Sequence, residues 1–134
     1  TFDSIICLDV LEHIEQDKAI KLLKLCHSKL SESGSILLQF PNPESRHFNS
    51  IFYSDITHKT SYTHKGIHQL AKLSGFEKID VFPLRPLKNG FKGFFRYYLW
   101  RIREIQLSFW QKIERGYSSD LHTVNILILL KKDA

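Results

Sequence analysis

Apolar and polar positions change period several times along the chain, and each change predicts an element. The apolar run in residues 2–10 (Ile5, Ile6, Cys7, Leu8) reads as a buried strand. From Gln16 to about Ser33, Ala19, Ile20, Leu22, Leu23, Cys26 and Leu30 recur at helical spacing, with Lys18, Lys21, Lys24 and Lys29 on the wet side. Gly34 is the expected left-handed stop. Residues 35–40 form a second apolar strand, closed by Pro41-Asn42-Pro43. Residues 44–62 follow neither period, and an irregular stretch of that length points to a functional or mobile loop. Thr63 reads as the N-cap of a helix through Ile67, Leu70, Ala71 and Leu73 that stops at Gly75. Residues 76–84 alternate as a third strand, ended by Pro83 and Pro86. Over 91–115, Phe91, Phe95, Tyr98, Ile102, Ile105, Phe109 and Ile113 fall in one stripe of a long helix, expected to pack on the sheet or on a partner subunit. A last strand over 123–130 is halted by Lys131, Lys132 and Asp133.

Helices alternating with strands predict an α/β sheet in one domain, residues 1–134, with no repeat or linker. With 43% hydrophobic and 25% charged residues, the composition excludes a disordered chain. The net charge of +5 suits a phosphate-bearing partner or an anionic membrane surface without selecting either. Cys7 and Cys26 lie in apolar patterns and read as reduced core thiols. No stretch reads as a signal peptide, and no uncharged apolar run reaches the roughly 18 residues of a membrane span, so a cytoplasmic protein is expected.

Candidate chemistry starts at Asp9-Val10-Leu11-Glu12-His13-Ile14, where the first strand ends; in open α/β sheets ligands sit at that edge. Glu12 and His13 at that edge either meet a ligand or form a solvated first helical turn. In the loop, Asp55 and His58 are three apart: a carboxylate-oriented base, a set of groups for a polar sugar, or side chains bonding their own turn. His64 and His68 share a helix face, but nothing beside them completes a ligand set, and no metal is expected. The helix over 91–115 and the residues before it carry Lys88, Lys92, Arg96, Arg101, Arg103, Lys112 and Arg115. The apolar stripe is too regular for a nucleic-acid stacking surface, so no nucleic acid is expected. Trp100 and Leu107 fall opposite the stripe and hint at a second apolar contact, a dimer face or a membrane interface.

The order of elements, read with Asp9 to Ile14, resembles the second half of a class I S-adenosylmethionine-dependent methyltransferase. More specifically, it is similar to methyltransferases associated with bacterial surface-polysaccharide and sugar biosynthesis. The marks are Pro41-Asn42-Pro43, Tyr53-Ser54-Asp55-Ile56-Thr57-His58, Tyr62-Thr63, Gly75-Phe76 and Thr123-Val124-Asn125. The resemblance implies strands four to seven of a Rossmann-like sheet, the last antiparallel, with a helical insertion at about 88–116. The family's glycine-rich turn and ribose-binding acid would lie upstream of Thr1, so the chain is expected to be a truncated acceptor-side half, inactive alone. It further implies S-adenosylmethionine as cofactor, bordered by Leu8, Asp9 and Glu12. His13 becomes the first candidate base, since imidazole titrates near neutrality, and His58 the second. Asn42, His47, Tyr53, Asp55 and Thr57 would meet a sugar or glycan acceptor. The alternative is a non-catalytic assembly module or one peripheral to the inner membrane. In either case self-association is expected through an exposed edge strand or the basic aromatic helix.

Overall fold

The computed structural model describes residues 1–132. Four strands, β1 (Phe2–Leu8), β2 (Leu30–Pro41), β3 (Lys78–Pro83) and β4 (Asn125–Lys131), form one sheet in the order β1-β2-β4-β3. β1 runs parallel to β2, and β4 runs antiparallel to both β2 and β3, so β4 is the reversed strand. The expected α/β sheet with an antiparallel last strand is therefore present. Helices α1 (Gln16–Lys29), α2 (Phe48–Phe52), α3 (His64–Leu73) and α4 (Gly90–Arg115) fall between strands.

Period-two alternation gives the sheet a dry face. β2 buries Ile36, Leu38 and Phe40, and β4 buries Ile126, Ile128 and Leu130. Ala19, Leu23 and Cys26 of α1 and Ile67, Leu70 and Ala71 of α3 complete that core. Thr63 caps α3 as its sequence predicts, its hydroxyl accepting from Gly66 N at 3.1 Å. Cys7 and Cys26 are free thiols, and burial pushes both pKa values up.

Several expectations are corrected. β1 is the exposed edge strand expected for self-association rather than the buried strand its apolar run suggests: Ile5 and Cys7 turn to the core, but Ile6 and Leu8 are 64% and 50% exposed. α1 ends at Lys29, where Leu30 turns extended, so Gly34 is no helix stop but lies inside β2. A Cβ at Gly34 would stand 3.0 Å from Leu30 Cβ, in the stretch where the β1–β2 register shifts; the glycine permits that close approach. The irregular loop holds a helical turn, α2. The third and fourth strands are shorter than their apolar patterns, because Phe76 is buried ahead of β3 and Thr123 bonds backbone rather than joining the ladder. Asp133, one of the expected terminators, lies outside the described residues.

Of the two covers expected for the α4 stripe, the sheet is not the one. The stripe faces outward: Phe91 is 87% exposed, and Phe95, Tyr98, Ile102, Ile105, Phe109 and Ile113 are all exposed large apolar residues. The opposite face is the buried one, carrying Glu104 and Leu107. The Glu104 carboxylate accepts from Arg85 Nε at 3.0 Å, Trp100 Nε1 at 2.8 Å and Arg101 Nη1 at 2.6 Å. A buried carboxylate with three donors holds the helix where apolar packing was expected. Among the described residues no helix is long and apolar enough to cross a membrane.

Candidate functional site

The site forms where the carboxyl end of β1 meets the loop over 53–60. Beyond β1, Asp9 takes a left-handed conformation (φ 54°), and its N–H donates to Gln39 O at 2.9 Å. Gln39 Nε2 lies 3.1 and 3.2 Å from the two Asp9 carboxylate oxygens, so β2 holds the turn in place. A 3-10 turn, Leu11–His13, follows at once. Leu11 is driven into the core, which also draws Glu12 in and leaves His13 half-buried.

The loop is fastened to this turn through backbone groups. Lys59 N and Thr60 N both donate to Glu12 O, at 2.7 and 3.1 Å. The Thr60 hydroxyl lies 2.7 Å from Ile14 O and 3.2 Å from Leu11 O. These bonds bring Thr57 and His58 against His13.

The Thr57 hydroxyl gives its one proton to Asp55 Oδ1 at 2.6 Å and stands 2.9 Å from His13 Nδ1. The hydroxyl therefore accepts from His13 Nδ1–H, which in the neutral ring puts the lone pair on Nε2. The two bonds from Thr57 to Asp55 hold the Asp55 carboxyl below its ordinary range. His58 Nδ1 lies 2.7 Å from Phe52 O; a carbonyl only accepts, so His58 also carries its proton on Nδ1 and leaves Nε2 free. The two imidazoles are 4.7 Å apart between ring centroids.

Glu12 is 2% exposed, and its Oε2 has no hydrogen-bond partner among the described residues. Burial pushes its carboxyl pKa up, with the nearby Asp9 charge adding to the effect and its own backbone bond and the two histidines opposing it. One carboxylate oxygen of Glu12 and one ring nitrogen each of His13 and His58 thus lie within 4.8 Å of one another.

Of the residues singled out in the sequence, Glu12, His13, Asp55, Thr57 and His58 come together here, and Leu8 and Asp9 lead into the turn that carries them. Tyr53 is 75% exposed and packs edge-on against Phe52, next to the loop. His47 caps α2 through its backbone, its carbonyl accepting from Ile51 N at 3.3 Å. Asn42 is fully buried and gives its amide protons to Leu121 O and Thr123 O, both at 2.8 Å, while its oxygen accepts from Glu44 N. Every polar atom of Asn42 thus bonds backbone, and its role is to anchor the chain entering β4. Gln39 and Thr60 carry no signal in the sequence, since their partners lie 30 and 46 to 49 residues away. The Asp55–His58 pairing suggested by spacing is replaced by Asp55–Thr57–His13. A larger cleft of about 590 Å³, between α4 and residues 43–46 and 63–65, is lined by none of the clustered groups.

Similar architecture recurs in solved structures. A SAM-dependent methyltransferase from Archaeoglobus fulgidus superposes with a TM-score of 0.67 at 21% identity, over 97% of this chain and 59% of that one. The chain has the methyltransferase fold. Phosphoethanolamine N-methyltransferase 2 of Haemonchus contortus, in complex with S-adenosyl-L-methionine, superposes with a TM-score of 0.55 at 17% identity, over 99% of this chain and 34% of that one. A SAM-dependent methyltransferase from Thermotoga maritima gives 0.60 at 14% identity, covering 98% and 56%. The chain spans less than two thirds of the length of each. No protein-family model and no curated protein matches it.

Proposed function

We propose that this chain is the acceptor-side half of an S-adenosylmethionine-dependent methyltransferase domain, acting on a sugar, glycan or related polar acceptor. The observation that carries the reading is the relay from Asp55 through Thr57 to His13, which fixes one imidazole with a free Nε2 beside Glu12 and His58. The carboxyl end of β1, at Leu8 and Asp9, would hold the cofactor, which would supply an electrophilic methyl carbon and leave as S-adenosylhomocysteine. His13 Nε2 would accept the proton of the acceptor nucleophile, and Asp55 would stabilise the imidazolium through Thr57. His58, Thr57 and Tyr53 offer polar contacts to a hydroxylated acceptor.

The residues present fit only one end of the cofactor. Leu8 is exposed and Asp9 is held in a fixed turn, which suits a neighbour at the methionine end. None of the six glycines follows the carboxyl end of a strand, where a tight phosphate or ribose approach needs one. Coverage of 59% or less of the similar structures agrees with a partner segment supplying the rest. The exposed edge of β1 is the place for it.

Calorimetric titration with S-adenosylhomocysteine tests this on the longest natural polypeptide carrying the sequence and on residues 1–134 alone. Saturable binding by the former, lost or strongly weakened in the latter, is the expected result. Equal binding by both would remove the half-domain reading, and binding by neither would remove the methyltransferase reading.

A second reading rests on α4. Its outward aromatic stripe, flanked by Lys92, Arg96, Arg103 and Lys112, suits a self-association face or a peripheral contact with an anionic membrane on the cytoplasmic side. Co-sedimentation with anionic vesicles, absent with neutral ones, would favour the membrane form.

A further inference from the structure

Glu12, His13 and His58 carry a feature that methyl transfer does not require. One carboxylate oxygen and one nitrogen from each imidazole lie within 4.8 Å of one another. The Glu12 carboxylate is almost wholly buried, yet its Oε2 lacks a partner among the described residues. A buried anionic oxygen left unpaired costs stability, unless something positive sits against it.

The outer bonds of the two histidines have the pattern found behind metal ligands. His13 Nδ1–H donates to Thr57, which is backed by Asp55, and His58 Nδ1–H donates to the Phe52 carbonyl. Such bonds fix the tautomer, orient the ring and raise the basicity of the other nitrogen. Both Nε2 atoms are left as acceptors, and two neutral imidazoles with one carboxylate make a donor set suited to a divalent transition metal. With bonds of about 2.0–2.1 Å the three donor atoms would close to roughly 3.3 Å apart, the edge of a tetrahedron.

We infer that Glu12, His13 and His58 form a binding site for one divalent transition-metal cation. The inference needs only these side chains and their outer partners, and it stands apart from the methyl-transfer reading. In metal-loaded protein His13 Nε2 is a ligand; in metal-free protein it is the free base described above. His64 and His68, with ring centroids also 4.7 Å apart, lack a carboxylate partner and are the internal control.

The test is titration of the chelator-treated full chain with Co²⁺, read by visible absorption. The expected result is one equivalent bound, with d–d bands of a low-coordinate nitrogen and oxygen environment. His13→Ala, His58→Ala and Glu12→Gln should each abolish the bands, and Thr57→Val should weaken affinity by about 10–100-fold through the lost outer bond. His64→Ala should leave affinity and spectrum unchanged. Circular dichroism checks that each variant folds, and His58→Asn replaces any ligand variant that does not. No bands with wild-type protein, or wild-type bands in His13→Ala or His58→Asn, would overturn the assignment. Loss of the bands in His64→Ala alone would move the site to α3 and overturn it equally.

Discussion

Thr57 stands between His13 and Asp55, 2.9 Å from one and 2.6 Å from the other, and its single proton decides the state of the imidazole. Because that proton goes to Asp55, His13 is held as the Nδ1–H tautomer. Nitrogen-15 NMR of labelled imidazoles should find His13 in that form. Thr57→Val should shift it to a tautomer mixture, and Thr57→Ser should restore it. An unchanged tautomer in Thr57→Val would mean that the relay does not set the ring.

Asn42 is expected to matter for folding. Asn42→Ala leaves the Leu121 and Thr123 carbonyls without their donor in a fully buried place. A loss of about 2–3 kcal/mol is expected in urea unfolding. Asn42→Asp should cost at least as much, since it sets a carboxylate against two carbonyl oxygens. Near-native stability in either variant would refute the anchoring role.

His122 gives the fold a pH dependence of known sign. Its Nε2 lies 2.8 Å from the Ser108 hydroxyl, and burial lowers its pKa from the ordinary value near 6.5, against the raising influence of Glu104 and Asp120. The unfolded chain therefore takes up a proton on this residue before the folded one does. The contribution is complete above about pH 6.5 and is lost as pH falls from there towards the lowered folded value. Thermal melts should show the decline below pH 6.5 in the wild type and a flatter profile in His122→Gln. An identical slope in both would assign the effect elsewhere.

The two faces of α4 should respond oppositely to substitution. Ile102 and Ile105 are 57% and 66% exposed, so the double change to Lys should leave unfolding within about 0.5 kcal/mol of wild type while reducing self-association in light scattering. Leu107 is 8% exposed, and Leu107→Ala should cost about 2–3 kcal/mol without affecting association. Equal effects from both faces would contradict the outward placement of the stripe.

What could be read in the sequence follows the range of the forces involved. Strand alternation in β2 and β4 and the Thr63 cap are local signals, and they predicted the sheet and α3 closely. The stripe of α4 was equally legible, but periodicity states only which residues share a face. Glu104 and its partner Arg85, 19 residues apart, decide which face turns inward. The same limit explains the site. Glu12 and His13 stood out because they end a strand, while the bond from Thr57 to His13 spans 44 residues and is set by the loop's attachment to Glu12 O. Asn42 was expected at the acceptor; its bonds across 79 and 81 residues, which the sequence does not announce, tie it to the chain entering β4.

The most direct test is labelled methyl transfer from S-adenosylmethionine to a panel of nucleotide sugars, run on the longest natural polypeptide carrying this sequence and on its His13→Asn variant. We expect transfer to at least one acceptor, slowed by about 10²–10⁴-fold in the variant, with the S-adenosylhomocysteine Kd unchanged. Full-rate transfer by His13→Asn would contradict the proposal that the chemistry takes place at the cluster of Glu12, His13 and His58.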